Sequence, residues 1–227
     1  MAQWRKFGVL TVAANSLFAT ACAGPEEDLV NRFFAASQSG DNQVVAGVSM
    51  VAFREDVASW EILEVVDLPN GEYLVPRLRQ DVEEAEDQRN AQWGTLGNFR
   101  KEHYEDLVRI ENRTQDDPEY RFPGRLGEIQ EGWDRQQQDL SDASSRLNET
   151  KIDLEREIRQ VTKSLFRESS PEYLTGEVLK RAVVVRVTTA TAEKTYRIAL
   201  SRYELKNQFD AVVPARFLIT DLGEEEP

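Results

Sequence analysis

Leu126, Trp133, Leu140, Leu147, Leu154 and Val161 stand seven residues apart through an otherwise polar stretch. A seven-residue apolar step is the repeat of a helix that buries one narrow seam against a neighbouring helix. The companion line is thinner: Ile129 is followed by Gln136, Ala143 and Thr150 before Ile158 and Leu165 recover it. Upstream, Leu78, Val82, Ala85, Gln92, Leu96, Phe99, His103, Leu107 and Ile110 step by three, four or seven. Between the two lines lie Asp116-Asp117-Pro118 and Pro123-Gly124, which is turn chemistry. Two stretches of similar length, residues 77–115 and 124–169, joined by such a turn predict a long antiparallel coiled-coil hairpin over residues 76–171. At 1.5 Å per residue each arm reaches roughly 60 Å. Gly94, Gly97, Gly127 and Gly132 interrupt the arms and read as points of close approach or bending.

The flanks have a different period. Leu29, Val30, Phe33, Phe34 and Ala36 recur at helical spacing, Gly40-Asp41-Asn42 breaks that helix, and a second short helix follows over residues 43–49. Residues 57–68 are β-branched and aromatic-rich, Pro69-Asn70-Gly71 reads as a turn, and residues 72–75 read as a short return strand. Pro76 suits the first turn of the helix that follows. At the other end, Val183, Val185 and Val187 alternate, as do Tyr196, Ile198 and Leu200, and residues 214–222 make a third strand. Alternation marks a half-buried sheet, hence an antiparallel one. The first helix and the last strands can bury their apolar faces only against each other. The fold class is therefore α+β: a split helix-plus-antiparallel-sheet domain over residues 29–75 and 172–223, with the helical hairpin inserted and an acidic tail at 224–227.

The first 22 residues read as an address. Arg5 and Lys6 precede a short apolar run from Phe7 to Phe18, and Ala19-Thr20-Ala21-Cys22 follows. This is the layout of a secretory signal peptide covering residues 1–21, and its apolar run is shorter than the ~20 residues needed to span a bilayer. Two processings fit. An ordinary cut falls after Ala21 or Ala23. Alternatively, Ala19 to Cys22 resembles a bacterial lipobox, with Ala19 where Leu is usual. The resemblance implies a lipid on the Cys22 thiol, a cut just before it, residues 22–28 as a linker, and an exported protein anchored to the cell envelope. Outer-membrane or periplasmic-face placement follows in a host with two membranes. An unpaired thiol in an exported chain favours this reading.

The flanking domain also resembles the cystatin-like, nuclear-transport-factor-like cone fold of small bacterial lipoproteins. The likeness covers residues 29–68 and 181–222 and rests on LVNRFFAASQSGD, VASWEILEV, KTYRIALSRYEL and ARFLITDL. Compact members of that fold lack the hairpin. Protein contacts through the hairpin follow from the lipobox-like cysteine, the coiled-coil spacing and the lack of catalytic groupings. As the alternative, the resemblance permits a cone that holds a small apolar ligand with the hairpin as lid. A weaker likeness, to adaptor subunits of envelope export systems, rests only on a helical hairpin interrupting a β domain.

Chemistry is sparse. The formal charge of −13 argues against nucleic acid as a partner, because phosphate neutralisation needs clustered Lys and Arg. One Cys and one His exclude a disulfide framework, a Cys-rich zinc site and a multi-His metal centre. Neither a P-loop, nor a dinucleotide glycine fingerprint, nor G-x-S-x-G occurs. His103 falls near the seam, and Asp81, Glu83, Glu84, Glu86 and Asp87 read as a solvated helix face. The expectation is a non-enzymatic protein with no cofactor and no metal. Its contacts are a membrane, through Cys22, and a protein partner, through the hairpin. Trp133 is large for a thin seam, so it either packs under Trp93 or Phe99 or meets the partner.

Overall fold

In a computed structural model the structure describes residues 24–117, 119–166 and 170–225. The chain is α+β. Helices α1 (Pro25–Ser39) and α2 (Asn42–Val48) lead into strand β1 (Val57–Glu72). Helices α3 (Val75–Glu102), α4 (Tyr104–Asp116) and α5 (Arg125–Ser164) follow. Strands β2 (Thr175–Thr189), β3 (Glu193–Lys206), β4 (Val212–Val213) and β5 (Leu218–Glu224) close the chain. All strand pairs of the five-stranded sheet are antiparallel, in the order β1-β2-β3, with β4 and β5 sharing the far edge of β3. Since α3 to α5 lie between β1 and β2 in sequence, the edge strand β1 and its neighbour β2 are joined through all three helices.

Alternation places a core on each face of the sheet. Val183, Val185 and Val187 of β2, with Tyr196, Ile198 and Leu200 of β3, bury against Val30, Phe33 and Phe34 of α1. Val178, Tyr203 and Leu205 have the opposite parity and bury against Tyr73, Val75, Val161 and Leu165, where the long helices meet the sheet. Gly40 ends α1 in the left-handed region, φ 71°, and its N–H reaches back to the carbonyls of Ala36 and Ser37. Asp41 then caps α2, its Oδ1 accepting from the Val44 N–H at 3.0 Å.

Four boundaries differ from the sequence reading. Helix α1 begins at Pro25, inside the stretch taken as a linker, because Pro suits a first turn and Glu26, Glu27 and Asp28 complement the helix dipole. Glu26 is buried there on the Arg181 guanidinium. Secondly, Pro69-Asn70-Gly71 is no turn. Strand β1 runs straight through it as a bulge, with Leu68 opposite Lys180 and Gly71 opposite Val178. The reason is the length of β2, which offers a ladder beyond Leu68, and the edge position of β1, which tolerates a missing proline N–H. No return strand forms over residues 72–75, since Val75 already starts α3. Thirdly, residues 214–217 are not strand: β4 ends before them and β5 starts after them. Fourthly, Glu224 still pairs in the ladder, opposite Tyr196, so it does not belong to the tail.

Candidate interaction site on the paired helices

Cross-helix contacts order themselves in opposite senses along α3–α4 and α5. Lys151 Nζ pairs with Glu86 at 2.7 Å, Arg146 donates to Gln88 at 3.3 Å, and Trp133 lies 6.2 Å from the Phe99 ring. Arg125 pairs with Asp106 at 2.6 Å. The numbers rise on one helix as they fall on the other, so the two run antiparallel. The buried seam is thin: Ala85, Ile110, Ile129, Leu147 and Val161 are its fully buried apolar members. The Lys151 hydrogen bond, reinforced by its charge, holds the Glu86 carboxyl below its usual range. Gly132 is a true close approach, because a Cβ there would stand 2.9 Å from the Phe99 ring. Gly94 and Gly97 have nothing within 4 Å and play no such part.

His103 interrupts the first arm. With φ −111° and ψ 21° it ends α3 and opens α4, and its ring rests 4.5 Å from that of Phe99. Near the far end, Gln130 is buried and acts as a polar plug. Its amide donates to the Tyr120 carbonyl at 3.0 Å, and its oxygen accepts from the Phe122 N–H at 3.2 Å. The Tyr120 and Phe122 rings meet edge to face at 4.8 Å, and the Arg113 guanidinium covers Tyr120 at 4.9 Å. These contacts fix the loop between α4 and α5 without an apolar core.

Just inside that loop a groove of about 480 Å³ opens between α4 and α5. Tyr104, Leu107, Val108 and Trp133 supply its apolar floor, and Arg100, Arg121, Glu111 and Asp134 give it a rim of mixed charge. Tyr104 is 58% exposed and Val108 37% exposed. Trp133 is half-buried against Phe99 and borders the groove, so both of its suggested roles meet at one place. Trp93 does not cover it, being 65% exposed. Cys22 lies outside the described residues. Of the acidic run, Glu83, Glu84 and Asp87 are exposed, while Glu86 is engaged by Lys151.

The helix–sheet joint holds a titratable cluster that no motif announces. The Tyr203 hydroxyl lies 3.0 Å from Glu157 Oε1 and 3.2 Å from Gln160 Oε1, and with one proton it donates to one of them at a time. Burial pushes the Glu157 carboxyl up, against the opposing pull of the Tyr203 hydrogen bond and the Lys180 charge. Burial and the nearby Glu157 push the Tyr203 and Tyr73 hydroxyls up in turn. The signal is invisible in sequence because it joins a helix and a strand 46 positions apart.

Among the described residues, no three His, Cys, Asp or Glu side chains gather as a metal site, and no helix is long and apolar enough to cross a membrane. No protein-family description, curated protein or solved structure matches the chain.

Proposed function

We propose that the protein is a non-enzymatic, lipid-anchored component of the cell envelope. Cys22 carries the lipid, and the paired helices form a coiled-coil hairpin that binds another protein. The observation that carries the reading is the groove between α4 and α5, where Tyr104 and Val108 stay exposed on rigid helices well along from the sheet. An apolar floor with a polar, charged rim is the usual anatomy of a protein contact. The lipobox-like Ala19 to Cys22 supports the anchor, and the absence of catalytic motifs supports the non-enzymatic part. The sheet with α1 across it supports a cystatin-like cone. Lid-covered apolar ligand binding has less support, because Phe33, Phe34 and Phe217 fill the face under α1.

Two measurements test this. The intact mass of the mature protein should correspond to a chain starting at Cys22 plus acyl groups, and Cys22→Ser should move the protein to the soluble exported fraction. A mass without acyl groups removes the anchor. A photo-cross-linking side chain at Val108 should give one discrete adduct in intact envelopes, abolished by Tyr104→Ser, whereas the exposed Ser145 gives none. Equal labelling from both positions removes the contact.

A further inference from the structure

One depression reverses the sign of this acidic chain. It measures about 340 Å³ and lies between the start of α1, the end of α5 and the approach to β5. Three arginines, Arg32, Arg202 and Arg216, line it against a single acid, Asp28. The chain as a whole carries 41 acidic residues to 28 basic ones, so this balance is not background.

The arginines are held in place. Arg216 donates to the Lys163 carbonyl at 3.3 Å and to the Gly47 carbonyl at 3.1 Å. The Arg202 guanidinium sits 5.0 Å over the Phe217 ring and shares the Glu204 carboxylate at 2.6 Å. Arg32 is exposed on the α1 wall. Beside them Phe166 is 64% exposed, although its backbone is fixed: its N–H donates to the Pro214 carbonyl at 3.2 Å, and the preceding Leu165 bridges to Ala215. An aromatic ring is therefore held in water on an anchored backbone, in a depression that three arginines also line. Aromatic rings with basic neighbours are what the boundary between lipid headgroups and acyl chains accommodates.

The position relative to Cys22 selects the occupant. Pro25 itself lines the depression, and Cys22 is three residues earlier. Three residues span at most about 10 Å. On the lipid-anchor reading, acyl chains on Cys22 hold Pro25, at the edge of this surface, within that distance of the bilayer.

We infer that the Phe166 depression is the membrane-facing surface of the protein, with Phe166 entering the headgroup boundary and Arg32, Arg202 and Arg216 meeting the phosphates of anionic lipids. The inference deepens the lipid-anchor reading and rests on it for orientation. Lipid on Cys22 supplies the hold, and the arginines set which face turns inward.

Acylation consumes the Cys22 thiol, so Phe166→Cys in the acylated protein presents one free thiol for a nitroxide label. In vesicles containing 30% anionic lipid, that label should report the depth of the phosphates or below, while a label at Val108→Cys reports water. A label at 166 as wet as the one at 108 overturns the inference. So does a label at 166 shielded equally without vesicles, which means the chain's own N-terminal residues cover the depression. A second arm needs no acyl group. The soluble exported Cys22→Ser protein, freed of its signal segment, should still show a weak preference for anionic over zwitterionic vesicles, and adding Arg32→Gln should weaken that preference roughly fivefold. Equal partition onto both lipids, or no effect of Arg32→Gln, overturns the inference. If the intact mass shows no acyl group, the anchor reading fails by itself and this second arm still decides the surface.

Discussion

Phe34 on α1 and Leu147 on α5 are both buried, yet they are buried by different means. Around Phe34 stand the rings of Phe33, Phe53 and Trp60, at 5.2, 5.4 and 5.8 Å, with the valines of β2 beneath. Around Leu147 the seam is one side chain wide. Thr150 turns its hydroxyl back onto backbone carbonyls, and the flanks are closed by Arg146 with Gln88 and by Lys151 with Glu86. The sheet body excludes water with a three-dimensional core. The paired helices do so with a line of apolar residues under the stems of charged ones. Stability in the body therefore concentrates in a few rings, whereas in the helices it is spread thinly and depends on where they are clamped to the sheet.

Four substitutions bear on that contrast. Phe34→Ala should cost about 3–5 kcal/mol and lower the melting temperature of the whole chain, because nothing near the ring is free to collapse into the space. A loss well under that range would mean the body core is looser than its packing. Leu147→Ala should cost about 2 kcal/mol, the low end for such a change, since a two-helix seam relaxes easily. It should show as faster amide exchange in α3 and α5, with β2 and β3 unaffected. Equal acceleration in the sheet would dissolve the distinction and make body and helices one cooperative unit.

Glu157→Gln probes the clamp. Burial raises the Glu157 carboxyl, so the folded protein holds that proton to higher pH than the unfolded chain does. Its contribution is complete below the ordinary carboxylate range and is lost as pH rises through the folded value. The uncharged Gln still accepts from Tyr203. The variant should therefore flatten the decline of stability as pH rises above the ordinary carboxylate range. Melting curves at stepped pH check this, and an unchanged slope would place the pH dependence elsewhere. Lys151→Ala is the smallest. Its pair with Glu86 is half-exposed and screened by solvent, so the urea midpoint should barely move. A larger loss would show the flanking pairs to be structural members of the seam.

How much was legible follows from how local each signal is. The alternation of Val183, Val185 and Val187, and of Tyr196, Ile198 and Leu200, announced the antiparallel sheet and its buried face, because a strand's side chains carry their own period. The spacing of Phe33 and Phe34 announced α1 for the same reason. Pro69-Asn70-Gly71 misled, since turn chemistry is local while the strand continues for a non-local reason, the reach of β2. His103 stayed in register with its neighbours and gave no hint of the break it makes. The groove was half legible through Trp133, whose size marked a place where the seam needs room. Gln130, the Glu157–Tyr203 pair and the arginines around Phe166 were not legible, because each assembles from segments that only the fold brings together.

Helix α5 is a single uninterrupted run of 40 residues, about 60 Å long, and its last turn is bolted to the sheet. The Ser164 hydroxyl donates to the Arg216 carbonyl, and the Arg216 N–H returns a bond to the Ser164 carbonyl at 2.9 Å. Mechanically that is a crank. A rotation of about 10° at this bolt would sweep the other end through roughly 10 Å, two turns of helix. Leverage of this kind works in either direction: force on the far end arrives at the sheet as torque on the joint formed by this reciprocal pair, the buried Val161 and Leu165, and the Glu157–Tyr203 contact, beside the depression that holds Phe166.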